Sequence, residues 1–335
     1  MPSDDFWPDG LRADLESLRD ADARVLAMAL PFPRIPPASA LLRRAGYTAT
    51  GYLPEAAHRL LTTTAKLMRR ARTSSSGGRQ PRRPLARLRR HVRPWAGRRA
   101  ALLLTHDIDT LDCAAAVKRV LQAEAERELT SVVNVLTHGP YFVTAAWLEE
   151  LRGRGAEIGL HGSTHDYAIG SRRDRTIEEH LRRALDALGD LRPMFYRAPA
   201  FAISPRLARH IAAAGFRCDS SRTVYHPGFS STRSLLPFRP LAGAQDFWEL
   251  PVAVEDSLLF REWRMSENEA VAYCGEVLDR TVESGGVFVL DTHPGILARC
   301  PGFYPRVLDQ SLEHGDVWIA SGADLLGRIT QLCAA

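Results

Sequence analysis

From Ala100 to the carboxyl terminus, short β-rich apolar runs alternate with amphipathic helical stretches, and no other feature limits the fold as strongly. AALLLTHD is followed by AAAVKRVLQAEAERE, SVVNVL by AAWLEELRGRG, EIGLHG by TIEEHLRRALDALG, and MFYRAPAF by PRLARHIAAAG. The runs FRCDSS, FWELPVAV, VFVLDTHP and VWIA continue the rhythm, with ENEAVAYCGEVLDRTVESG and YPRVLDQSLEHG as the later helical stretches. About eight strands, most of them followed by a helix, predict a parallel sheet covered by helices. A span of roughly 235 residues suits an α/β fold of the deformed (β/α) barrel type, with about seven or eight strands. A doubly wound open sheet is the rival, weakened because no GxGxxG follows the first strand.

Two segments precede the barrel, which is expected over 99–335. Residues 1–68 read as a mostly helical extension. LRADLESLRDADARVLAMAL has helical periodicity with Asp9 as a candidate N-cap, and PFPRIPP breaks it. Residues 69–98 read as an arginine-rich linker or irregular segment. Over 69–99 there are twelve arginines and no acidic residue, among Ser, Gly and Pro. The net charge of +5 for the 335 residues is therefore local, and the rest of the chain is net acidic.

The block favours a solvated linker, with weak contact to an anionic surface through 69–99 as the functional alternative. No aromatic interleaving or recognition-helix pattern marks a dedicated nucleic-acid module. With 45% hydrophobic and 25% charged residues, the composition is that of a soluble globular protein. Five scattered cysteines without a CxxC argue for a reducing compartment and against a cysteine-bound metal. The acidic amino terminus lacks a signal-peptide pattern, and no apolar run reaches the roughly eighteen residues of a membrane span. The expected location is cytoplasmic.

Chemistry-bearing residues cluster at the carboxyl ends of the expected strands, the rim that carries active sites in parallel barrels. His161 and His165, four apart in HGSTH, can reach one cation from the same side of a turn or helix. Two surface histidines are the bland alternative. In THDID, Asp107 and Asp109 stand at i and i+2 and point the same way on an extended strand, so one can bind a cation while the other stays free as a base. Taken alone, acids after a strand are more often loop solvation or capping. Arg197 in YRAPAF can keep a carboxylate such as Asp107 ionised. His293 in LDTHP is placed to protonate a leaving amine, with a carboxylate on its other nitrogen fixing the tautomer. Asp219, opening DSS, is the first choice for that carboxylate and Asp291 the second. His106 adjoins the acidic pair and His138 ends the second strand; either could line the site, without a ligand role. His180 and His210 fall on helices, and Trp248 and Trp263 fit core packing better than a sugar-stacking wall.

In order, THDID, HGSTH, YRAPAF, DSS and LDTHP resemble the NodB-homology polysaccharide deacetylases, carbohydrate esterase family 4. The resemblance implies a deformed (β/α) barrel that binds a divalent metal, zinc first and cobalt, nickel or manganese after it, through one Asp and two His. His161 and His165 match the ligand histidines, although Gly162 stands where Ser or Thr is usual. The acidic motif departs from the common TFDDG. Its split pair looks like the D-x-D branch, which includes peptidoglycan deacetylases and cyclic-amide hydrolases. That match implies Asp107 as base and Asp109 as third ligand. Arg197 matches the residue that orients the base, Asp219 the one that supports the acid, and His293 the acid, with Asp291 where Leu is common.

The implied activity is metal-dependent hydrolysis of an N-acyl group, N-acetyl above all, on an amino sugar or sugar-containing intermediate of carbohydrate metabolism. The absence of a signal peptide turns the expected substrate toward a small or lipid-linked intermediate. Deformylation or cyclic-amide opening at the same site is the nearest alternative. A non-catalytic carbohydrate-binding barrel is the alternative of a different class.

Overall fold

In the computed structural model the described residues are 93–334, apart from Tyr167, 225–231, Arg233, Ala242 and Gln245. The helical extension expected over 1–68, and the arginine-rich segment as far as residue 92, lie outside them. The end of that segment is packed onto the domain. Trp95 is fully buried with its indole N–H donating to Gly285 O over 2.7 Å, and Arg93 pairs with Asp316 at 2.6 Å. The folded unit thus takes in residues 93–98, ahead of the boundary expected at 99.

Every expected β run is a strand. They are β1 (Ala100–Ile108), β2 (Ser131–Leu136), β3 (Ala156–Gly162), β4 (Phe195–Tyr196), β5 (Cys218–Asp219), β6 (Trp248–Glu249), β7 (Val252–Glu255), β8 (Val287–Thr292) and β9 (Val317–Ala320). FWELPVAV yields both β6 and β7, because Pro251 has no N–H for the ladder. The strands pair in the order β6-β5-β4-β3-β2-β1-β8-β7, all parallel. Only Leu250 and Pro251 separate the two end strands, so the sheet curls until its ends meet through the chain. This is the expected deformed barrel. β9 enters it as a short wedge: Ala100–Leu103 of β1 pair with β9, whereas Thr105–Ile108 pair with β2.

The helices that cover the sheet are α1 (Leu111–Ala125), α2 (Ala145–Gly153), α3 (Asp174–Leu188), α4 (Pro205–Ala213), α5 (Glu267–Ser284), α6 (Pro294–Leu297), α7 (Phe303–Glu313) and α8 (Gly322–Ala334). Local signals start several of them. Thr110, Thr144 and Ser204 cap α1, α2 and α4 by accepting a backbone N–H, and Ser266 with Glu269 forms a capping box on α5.

Strand alternation then sorts the side chains of β1. Leu102, Leu104 and Ile108 face the helical layer, where two apolar clusters form. Ala101 and Leu103 face inward and join Val132, Phe195, Trp248, Val287 and Val289 in a third cluster, which Leu325, Leu326 and Ile329 of α8 complete. Above that apolar floor the inward positions of β1 become Thr105 and Asp107. The polar site rests on this floor.

Candidate active site

Asp109, directly after β1, gathers three imidazoles. Its Oδ1 lies 3.1 Å from His161 Nε2, and its Oδ2 lies 3.4 Å from His165 Nε2 and 3.3 Å from His293 Nε2. The other ring nitrogen of His161 donates to Arg197 O over 2.9 Å, which fixes the tautomer with Nε2 turned to the carboxylate. Burial works against the charged form of Asp109, yet His165 and His161 hold it well below the usual carboxylate range.

One carboxylate oxygen and two imidazole nitrogens from Asp109, His161 and His165 lie within 4.8 Å of one another. This is the donor set of a divalent cation with positions left open. Asp109 Oδ1 is buried and, although it lies 3.1 Å from His161 Nε2, makes no hydrogen bond of good geometry, a position that a cation between them would satisfy. The residues therefore fit the expected metal.

Gly162 belongs to this geometry. Its φ of +110° is one that L side chains rarely adopt, and a Cβ there would sit 2.7 Å from His180 Nε2. That nitrogen accepts the Ser163 N–H over 2.9 Å, so His180 of α3 braces the loop between the two expected ligands. Burial lowers the His180 pKa to about 4, which keeps the ring neutral and able to accept. His138, exposed on the neighbouring loop, places Nδ1 3.1 Å from Ser163 Oγ.

Asp107 stands apart from that donor set. Its Oδ1 accepts from Asn134 Nδ2 over 2.8 Å and from Arg197 over 3.2 Å, while Oδ2 lies 3.8 Å from His161 Nδ1. Burial opposes ionisation, but the charges of His161 and Arg197 outweigh it and the pKa is lowered. Asn134 is cross-strand from Asp107 on β2, and Gly159 of β3, opposite it in turn, leaves the room its amide occupies. The sequence signal for Asn134 is a polar residue set among the valines of SVVNVL.

Arg197 is fully buried and organises the centre of the site. Its NH1 group also reaches Thr105 Oγ1 at 2.8 Å and Asp291 Oδ1 at 2.5 Å. Its Nε and NH2 groups donate to the Ser220 carbonyl and hydroxyl over 2.8 and 2.9 Å. Asp291 thus faces Arg197, and burial raises its carboxyl well above the usual range. Just beyond Arg197, Ala200 and Phe201 hold φ of 50° and 55°. Such left-handed backbone in non-glycine residues gathers at functional sites.

His293 leads to a correction. The carboxylate on its Nδ1 is Asp256, whose Oδ1 lies 2.6 Å away and whose Oδ2 accepts the His293 backbone N–H over 2.7 Å. Neither Asp219 nor Asp291 fills the place expected of it. The topology explains this: Asp256 follows β7, the hydrogen-bonded neighbour of β8, whereas β5 lies between β4 and β6. Asp219 hydrogen-bonds Ser221 and shares a fully buried pocket with Glu249, and burial raises the pKa of both. Ser221 accepts the Ala198 N–H over 2.8 Å, so the DSS triplet clamps the YRAP segment. Although burial opposes it, Asp256 and Asp109 hold the His293 imidazole well above its ordinary range. An acid directly after a strand, in VED, was the available signal for Asp256.

His106 points away from the site, its ring lodged between Glu124 and Thr292. Trp248 is buried under Arg239, and Trp263 packs edge-on against Tyr273.

No family model matches the sequence, and none of the curated proteins matches it either. Solved structures do resemble the fold. A protein assigned as a polysaccharide deacetylase from Mycobacterium smegmatis superposes with a TM-score of 0.61 at 19% identity, over 75% of this chain and 95% of that one. One so assigned from Pseudomonas aeruginosa PAO1 gives 0.57 at 17%, over 72% and 94%. The Puue allantoinase gives 0.55 at 14%, over 76% and 95%. The chain thus has the polysaccharide-deacetylase fold that its ordered motifs resemble.

Proposed function

We propose that the chain is a metal-dependent amide hydrolase of the NodB-homology superfamily, D-x-D branch. On this reading it removes an N-acyl group, N-acetyl first, from an amino sugar or sugar-containing intermediate. The observation that carries the proposal is the convergence of His161, His165 and His293 on Asp109, beside a separate carboxylate, Asp107, held by Arg197 and Asn134. Asp109, His161 and His165 would hold the cation, zinc first. When bound, it supplies Lewis acidity toward the amide carbonyl and toward water.

Asp107 is the base. With Oδ1 occupied by Asn134 and Arg197, Oδ2 is the oxygen that takes the proton of the attacking water. His293 is the acid, and its Nε2–H is passed to the departing nitrogen as the C–N bond breaks. Asp256 fixes the tautomer and keeps the imidazole protonated before that step. Water adds its oxygen to the acyl carbon, and the products are a carboxylic acid and a free amine. The favoured substrate is small or lipid-linked and met in the cytoplasm. Among the described residues no helix is long and apolar enough to cross a membrane.

A second reading, cyclic-amide opening, is favoured by the split THDID pair and by the likeness to an allantoinase fold. Mass spectrometry of N-acetyl, N-formyl and cyclic-amide substrates incubated with zinc-loaded protein separates the two. Loss of acetyl from amino sugars supports the first reading. Ring opening alone supports the second, and no turnover on any class, with metal bound, defeats both.

A further inference from the structure

On the outer face of β1, the series Leu102, Leu104, His106 and Ile108 is apolar except at His106, and that ring is wholly buried. Its Nε2 lies 2.7 Å from Glu124 Oε1, and its Nδ1 lies 2.7 Å from Thr292 Oγ1. Glu124 on α1 is itself only 1% exposed. It also accepts from Ser131 Oγ over 2.7 Å and from Tyr304 Oη of α7 over 2.5 Å. The Tyr304 ring meets the His106 ring edge-on, with centroids 5.6 Å apart.

A carboxylate buried this deeply carries a desolvation cost that an apolar side chain would avoid, and a fully satisfied network of this kind can specify one arrangement over its neighbours. The placement shows which arrangement is specified. His106 and Thr292 are cross-strand partners in the β1–β8 ladder. Their chain neighbours on the inner face are Asp107 on one strand and Asp291 and His293 on the other. A one-residue slip of either strand would turn its own acting groups out of the site.

We infer that His106 and Glu124 are positioning residues which, through the Thr292 hydroxyl, set the proton donor His293 against Asp107 and Asp109. His106 touches no reacting atom. It bonds the residue immediately before His293 and ties that strand end to α1 and α7. The inference rests on the reading of His293 as the proton donor, and its test has one readout that needs no turnover.

Thr292→Val keeps the shape and removes only the hydroxyl. Thr292→Ser restores the hydroxyl, and His106→Phe removes the ring nitrogens. Steady-state kinetics on the N-acetyl substrate are measured beside bound zinc and the imidazole NMR resonances of zinc-loaded protein. The His293 resonance is identified by its loss in His293→Asn. The expected result is a tenfold or greater fall in kcat for Thr292→Val and for His106→Phe. KM and zinc content should stay within about twofold. Thr292→Ser should recover most of the rate, and the Val/Phe double variant should be no slower than the worse single one. The His293 resonance should move in both singles.

An unmoved His293 resonance in folded Thr292→Val overturns the inference. So does a double variant whose loss is the product of the two singles. If His106→Phe does not fold, the isosteric Thr292→Val decides alone. If no substrate is turned over, the functional reading fails while a shifted His293 resonance still supports the positioning role.

Discussion

Asp256 holds His293 at two points, a 2.6 Å contact between Oδ1 and the ring Nδ1 and a 2.7 Å hydrogen bond from the His293 amide to Oδ2. Asp256→Asn keeps the shape but offers a neutral amide, which can present N–H to Nδ1 and reverse the tautomer. A loss of about 10²–10⁴ in kcat is expected, the range that general acid–base groups supply. Bound zinc should be unchanged, because Asp256 contacts no ligand residue other than through His293. Asp219→Asn is the control. It should lower the unfolding midpoint with a smaller effect on rate, and a kcat deficit equal to that of Asp256→Asn would reverse the two assignments.

The two acids of THDID should separate cleanly. On the proposed reading, Asp107→Asn removes the base but leaves Asp109, His161 and His165 in place, so turnover should vanish while zinc still binds. Asp109→Asn weakens the donor set itself and should lower zinc affinity by at least tenfold. Elemental analysis after dialysis, paired with an amine-release assay, reads both outcomes. Zinc loss in Asp107→Asn with retention in Asp109→Asn would show that the roles are exchanged.

The barrel was legible in the chain because short apolar β runs alternate with amphipathic helical stretches over most of the span from Ala100 onward, and several of the runs end in a polar motif. The FWELPVAV run was harder to divide, since only the missing N–H of Pro251 splits it. His161, His165, Asp107 and Asp109 could be found because local spacing places each pair on one side. The partner of His293 could not, because it depends on which strand lies next to β8, and sequence order does not state adjacency in a closed sheet. Asn134 was obscured for the same reason, as its importance comes from facing Asp107 across the β1–β2 ladder.

Arg197 should not tolerate lysine. Its planar fork serves Asp107, Asp291 and Thr105 on one side and both Ser220 acceptors on the other, which a single ammonium cannot reproduce. Arg197→Lys keeps the charge but leaves several buried acceptors unpaired, and a destabilisation of about 1–3 kcal/mol for each is expected. Ser220→Ala removes one hydrogen bond to a charged group and should cost about 1.5–3 kcal/mol. Urea unfolding of both variants tests the order, and equal stability of Arg197→Lys and the wild type would contradict this account of the clamp.

His180 makes the loop between His161 and His165 sensitive to acid. Its ring accepts the Ser163 N–H, and burial lowers its pKa to about 4 from an ordinary value of 6.5. Between those values the unfolded chain binds a proton that the folded chain refuses, so this contribution to stability is present above pH 6.5 and declines as pH falls toward 4. Allowing for the solvent that reaches a part-buried ring, the contribution is on the order of 1–2 kcal/mol. His180→Gln keeps an acceptor for Ser163 and removes the titration. Urea unfolding of chelator-treated protein at pH 7 and pH 4.5 should therefore show a smaller loss in the variant than in the wild type. Gly162→Ala, by contrast, should destabilise at both values, because its φ and the nearby His180 ring oppose a Cβ at any protonation state. Parallel pH dependence in wild type and His180→Gln would remove His180 from the account of the loop.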